Sequence, residues 1–142
     1  MFVTTCIGSN SLNSPTIVRS ITFIGGGCWG LSELTTTNGA TFLSGTYNNG
    51  NITGPAVFSN GSFNNGTIVG TTTFDINTYN SGTVTGTTTF NTYSSNNGTV
   101  NGNVTFNYQS SNAYYGTVNA SRVDFSNGSY NYASLYSPTE VR

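Results

Sequence analysis

The side chains able to do chemistry are few. The acids are Glu33, Asp75, Asp124 and Glu140, the bases are Arg19, Arg122 and Arg142, and there is neither His nor Lys in 142 residues. Without His the usual general base and commonest metal ligand are missing. Without Lys, Schiff-base chemistry and a phosphate-loop lysine are missing too. A pair of carboxylates could cleave a glycosidic bond, and Asp75 and Asp124 are the best candidates. Catalytic carboxyls stand roughly 5–9.5 Å apart, whereas the repeat described below would separate these two by three layers, about 14 Å. The expectation is therefore solvated surface acids and no catalytic residues.

Metal and cofactor sites fare no better. Four scattered acids do not make the carboxylate cage that calcium prefers, and Cys6 and Cys28 alone are too few for zinc. Those two cysteines could pair with each other, pair between chains, or stay reduced; a cross-link between them is the candidate disulfide. Gly25, Gly26 and Gly27 precede Cys28 and Trp29 with no following lysine, so they read as a turn and not as a nucleotide loop. Seven Asn-x-Ser/Thr sequons, at Asn51, Asn60, Asn65, Asn97, Asn103, Asn119 and Asn127, matter only in a eukaryotic secretory setting. The reading assigns no metal and no cofactor.

Composition narrows the partners. Charged residues are 5% of the chain and the formal net charge is −1, so no basic stripe exists to release counterions from nucleic acid or to hold an anionic membrane. No apolar run reaches the roughly 20 residues of a membrane helix, and the first residues lack the basic and apolar regions of a signal peptide. Aromatics at 13% oppose the disordered state that low charge and abundant Asn, Ser, Thr and Gly would otherwise suggest.

The elements that must position any site are set by a repeat. Gly66-Thr67-Ile68-Val69-Gly70-Thr71-Thr72-Thr73-Phe74 recurs after sixteen residues as Gly82 to Phe90, and again as Gly98 to Phe106. One step upstream it reads Gly50 to Phe58, and looser copies run from Pro15 to Phe23, from Leu34 to Phe42 and from Gly116 to Phe125. The anchors are Phe23, Phe42, Phe58, Phe74, Phe90, Phe106 and Phe125, with Ile52, Ile68, Val84, Val100 and Val118 as a second apolar register. A third register holds Asn48, Asn64, Asn80, Asn96 and Asn112, preceded by Tyr47, Phe63 and Tyr79 in three coils. Stacked in register, these amides would bond along a ladder.

Alternating β-branched and aromatic residues mean strand, and Gly, Thr and Asn oppose helix. A sixteen-residue unit cannot bury its apolar edge alone, so each coil must lie on its neighbours. The predicted fold is all-β: a single-chain parallel β-solenoid of about seven sixteen-residue coils, roughly 30 Å long. Residues 1–14 form an N-terminal strand, capping or contact segment, residues 15–130 the solenoid, and residues 131–142 a C-terminal contact segment or tail. Asn49-Gly50, Asn65-Gly66 and Asn97-Gly98 are expected at tight corners with positive φ, and Gly70 and Gly86 at bends within the strand. An antiparallel sandwich would use the same turns but gives no reason for the constant phase of the inward residues.

The Gly-Thr-Ile/Val-x-Gly-x-x-x-Phe frame at Gly66, Gly82 and Gly98 resembles the Asn/Gly/Thr-rich short-coil β-solenoid repeats of bacterial surface adhesins and phage tail fibres. The resemblance covers about residues 15–130 and implies an elongated extracellular or virion role. The sequence reading is accordingly a non-enzymatic fibre or filament subunit whose partner is itself. It would stack through uncapped ends, Phe2 to Ile7 and Tyr130 to Tyr136, where no charged or helical cap is visible. Two other readings stand beside it. Exposed Tyr114, Tyr115, Tyr130 and Tyr132 could contact a glycan or cell-surface receptor. Outward Thr columns (Thr67, Thr83, Thr99, Thr117 and Thr73, Thr89, Thr105) resemble the Thr arrays of insect β-solenoid antifreeze proteins and imply ice binding.

Overall fold

The computed structural model describes residues 3–7, 15–25, 33–136 and 138–142. Among them every regular element is a strand and every strand pairing is parallel, which excludes the antiparallel sandwich. The chain is a β-solenoid of about seven turns.

One central coil shows how the sequence makes the shape. Phe63–Asn64, Thr67–Val69 and Thr72–Phe74 are three short strands, and each pairs with its counterparts sixteen residues before and after. Asn64, Ile68, Thr72 and Phe74 are buried, while Thr67, Val69, Thr71 and Thr73 face outward. Strands this short exist only because their backbone groups bond to the coils on either side, a ladder repeated from Tyr47 to Asn131.

Mid-strand glycines separate the second strand of each coil, which carries Ile or Val, from the third, which ends in Phe. Gly54, Gly86 and Gly102 have φ of +126°, +143° and +140°, a region that L side chains avoid. Their N–H groups still donate to the next coil, to Val69, Asn101 and Asn119 carbonyls, each at 2.9 Å. The bend therefore costs no backbone hydrogen bond.

The Asn-Gly pairs do not behave as expected. Gly50, Gly66 and Gly98 are not among the positive-φ residues. Close approach requires glycine at two of them instead: a Cβ on Gly66 would stand 2.1 Å from the Gly50 carbonyl oxygen, and one on Gly98 2.1 Å from that of Gly82. The left-handed corners lie elsewhere, at Gly45, Gly61, Asn77, Tyr93, Gln109 and Gly128.

The ends are longer than the frame. Strands β1 (Val3–Ile7), β2 (Thr16–Ile24) and β3 (Glu33–Leu43) pair in order, β1 on β2 and β2 on β3. A bulge between Val18 and Ser20 shifts that last register by one residue. The unbroken β3 then supports both Asn51–Thr53 and Ala56–Phe58, where the coil acquires its bend. At the other end the ladder continues past residue 130. Tyr130–Asn131, Ser134–Tyr136 and Glu140–Val141 add a further layer on Ser111–Asn112, Thr117–Asn119 and Arg122–Phe125.

Candidate functional site

Three inward columns fill the solenoid. The phenylalanines form one uninterrupted pile from Phe23 to Phe125, with ring centroids 4.5 to 5.0 Å apart and interplanar angles of 6° to 12°. Phe23 to Phe106 are fully buried and Phe125, nearest the end, is partly buried. Ile52, Ile68, Val84, Val100 and Val118 are fully buried beside them, and Leu34 and Leu135 extend that column at either end. Residues sixteen apart stack here because the coil closes in sixteen.

The third column is polar and equally buried. Asn48 donates to Asn64, Asn64 to Asn80, Asn80 to Asn96 and Asn96 to Asn112, at 2.8 to 2.9 Å, and Asn112 donates onward to Asn131. The second amide hydrogen of Asn48, Asn64, Asn80 and Asn96 bonds locally, as Asn64 does to the Gly66 carbonyl. An amide is donor and acceptor at once, so a column of identical amides satisfies itself. Two polar columns were not singled out from sequence. Ser62, Ser94, Ser110 and Ser129 hydroxyls donate to the carbonyls of Phe42, Asp75, Phe90 and Phe106. Ser59, Asp75, Asn91, Asn107 and Ser126 form a side-chain ladder along the corner after each Phe. Their signal was present: position +1 after each of these Phe is always polar.

The charged candidates are placed far from one another. Asp75 belongs to the corner ladder, accepting from Ser59 Oγ at 3.1 Å and from Asn91 Nδ2 at 3.4 Å. Asp124 lies in the Phe125 strand, beside Thr105 in register, and pairs with Arg122 at 2.8 Å. That hydrogen bond, with the Asp124 charge, raises the Arg122 pKa. Arg122 also approaches Glu140 at 3.9 Å, and Glu140 pairs with Arg142. Four of the seven charged residues thus meet at the C-terminal edge, and the expectation of an uncharged end is corrected: its last strand is a charged one. Among the described residues no three His, Cys, Asp or Glu side chains come together. Cys6 lies in β1 opposite Phe23; Cys28, with Phe2, Gly26 and Gly27, is outside the described residues.

No protein-family model, curated protein or solved structure matches the chain. Its surfaces must speak for themselves.

The outward Thr columns are in register, Thr67–Thr83–Thr99–Thr117 on one side and Thr73–Thr89–Thr105 on another. Both are interrupted at their flanks, by Asn51, Val57, Ser134 and Asp124. Tyr114 and Tyr115 occupy the corner where the coil lengthens from sixteen to eighteen residues. They are 76% and 80% exposed, with rings edge to face at 5.3 Å. Tyr130 and Tyr132 are exposed on the last layer, 4.8 Å apart and tilted. Tyr47, Phe63 and Tyr79 stack in that order at 5.2 and 4.7 Å and nearly parallel, which covers both faces of Phe63 and one face of each tyrosine.

Proposed function

We propose that this chain is a structural rod, a non-enzymatic subunit of an extracellular or virion fibre that assembles by stacking of solenoid ends. The observation that carries the reading is the last layer. Tyr130–Asn131, Ser134–Tyr136 and Glu140–Val141 each pair on one side only, and among the described residues nothing lies on their other edge. An open strand edge is a template for another chain. Above it Tyr130, Tyr132, Tyr136 and Val141 are exposed and Leu135 is only partly covered, so apolar surface waits to be buried there.

The ion pairs of Arg122, Asp124, Glu140 and Arg142 qualify how the end would be used. Charged side chains on an edge strand discourage indiscriminate pairing, but these four sum to zero charge and do not repel an incoming copy. Joining would be led by the Tyr136 and Leu135 strand, with the charged strand selecting register. A contact between unlike ends does not close, and so produces a filament.

Negative-stain microscopy and light scattering of the purified chain test this. Filaments that lengthen with concentration, and that Tyr136→Lys, a change at an exposed side chain of that strand, prevents without lowering the melting temperature of the rod, are expected. A species whose mass stays that of one chain at all concentrations would overturn the reading.

A further inference from the structure

A second surface runs along the corner between the Phe strand and the Asn strand. In successive coils the first corner position holds Asn60, Ile76, Thr92, Tyr108 and Asn127, and the second holds Gly61, Asn77, Tyr93, Gln109 and Gly128; the backbone bonds of these residues to one another fix the alignment. The second position is left-handed in every one of these coils, with φ from +53° to +79°. Gly and Asn suit that region, and a tyrosine does not. Yet Tyr93 occupies it at +57°, and Tyr108 is also left-handed at +36° in the next coil.

Neither ring gains burial from this placement. Tyr93 and Tyr108 are 54% and 52% exposed, edge to face at 6.2 Å and 80°, so the edge of one ring meets the face of the other and about half of each residue stays in solvent. Exposed Ile76 lies two coils below Tyr108 in the same column, so the apolar strip spans about 10 Å at the ladder spacing. Beside it Asn91 and Asn107 each use one amide hydrogen in the corner ladder and keep a second. Asp75, the residue before Ile76, accepts hydrogen bonds in that ladder and is the nearest charge in sequence to the strip; the three arginines lie at Arg19, Arg122 and Arg142.

We infer that the Tyr93–Tyr108 corner binds a neutral saccharide chain lying along the rod. Open aromatic faces take the C–H faces of pyranose rings and the amides take their hydroxyls, the division of labour usual in small-ligand sites. The electrostatics select for lack of charge: a carboxylate stands near and no cation does, which disfavours phosphate, sulfate and acidic sugars. A strip of about 10 Å matches two or so sugar units. The inference is independent of end-to-end assembly and concerns a different face.

The protein's own corners supply the test variant. Tyr93→Gly with Tyr108→Asn installs what Gly61, Gly128, Asn60 and Asn127 already provide at those positions, so the rod should fold with an unchanged or raised melting temperature. Calorimetric titration with neutral pentasaccharides of glucose, mannose and N-acetylglucosamine, and with a heparin pentasaccharide, should show at least one neutral sugar binding below about 1 mM. It should show no heparin binding and a loss of about tenfold or more in the double variant. No neutral sugar binding, equal binding by the variant, or preference for heparin would overturn the inference. So would wild-type side-by-side association that the double variant abolishes while no sugar binds, since the corner would then be a contact between copies.

Discussion

Replacing Phe90 by Ala removes the middle of the aromatic pile. The ring is fully buried and stacks on Phe74 at 4.8 Å and on Phe106 at 4.9 Å. Burying a Phe contributes about 2–3 kcal/mol by transfer, and each stacked neighbour adds about 0.5–1.5 kcal/mol. Backbone hydrogen bonds hold the coils at fixed spacing on both sides, so the hole cannot collapse, and the whole cost should reach about 3–5 kcal/mol. Phe125→Ala offers the control, because that ring is only partly buried and has Phe106 alone beside it at 5.0 Å. It should cost about half as much, near 2 kcal/mol. Urea unfolding followed by circular dichroism measures both. Equal costs at the two positions, or a Phe90→Ala cost under about 1 kcal/mol, would refute the claim that stability accumulates through two-sided stacking.

Other perturbations test the remaining columns. Asn80→Asp keeps the acceptor for Asn64 but faces its second oxygen toward the Asn96 oxygen. Burial and that facing acceptor raise the folded pKa of the new carboxyl above its unfolded value. Stability should then be greatest below about pH 4 and fall as pH rises through the raised value, which denaturation at pH 3 and pH 7 would reveal. Gly82→Ala forces a Cβ to within 2.0 Å of the Gly66 carbonyl and should cost about 3 kcal/mol or more. Gly61→Ala meets nothing within 4 Å and bears only its left-handed φ of +79°, so about 1 kcal/mol is expected in the same melts. Deleting residues 75–90 removes one whole coil and brings Phe74 onto Phe106, leaving a rod with parallel-sheet circular dichroism and a cooperative melt; loss of that melt would refute in-register stacking.

The columns that were legible are those whose residue type is both unusual and constant. Phe at every sixteenth position and Asn ten residues before each central Phe fix the coil length, and the coil length fixes the parallel stack. Where the type is common the signal sank: the Ser/Thr column at Thr46, Ser62, Thr78, Ser94, Ser110 and Ser129 repeats as faithfully but is camouflaged in a chain full of both. The final layer escaped notice because two changes coincide there. Leu135 replaces the Val of its column, and Asn131 follows Asn112 by nineteen residues because that interval contains the lengthened Tyr114–Tyr115 corner. The Asn-Gly glycines were located but misexplained, since sequence marks where Cβ is forbidden without saying whether dihedral or neighbour forbids it. Tyr93 and Tyr108 lacked any sequence signal: only the left-handed backbone distinguishes them from surface tyrosines.

In-register stacking also accounts for the composition that first narrowed the partners. Every side chain in a central coil sits about 4.8 Å from its equivalent in the next, so a column survives only if a residue tolerates its own kind. Phe stacks on Phe, Asn donates to Asn, and a hydroxyl is donor and acceptor together. Like charges at that spacing repel by roughly 1 kcal/mol in water and several times more near protein, at every step of the column. Among the described residues charge therefore stands where no neighbour in its column carries the same sign. Asp75 lies between Ser59 and Asn91, and Arg122, Asp124, Glu140 and Arg142 lie in the last layers, where opposite signs can be neighbours. Low charge is thus a consequence of the fold before it is a clue to any partner. Aspartates introduced together at Thr73, Thr89 and Thr105 should destabilise the rod at neutral pH by more than the sum of the three single changes, whereas alternating Asp, Asn and Asp should not.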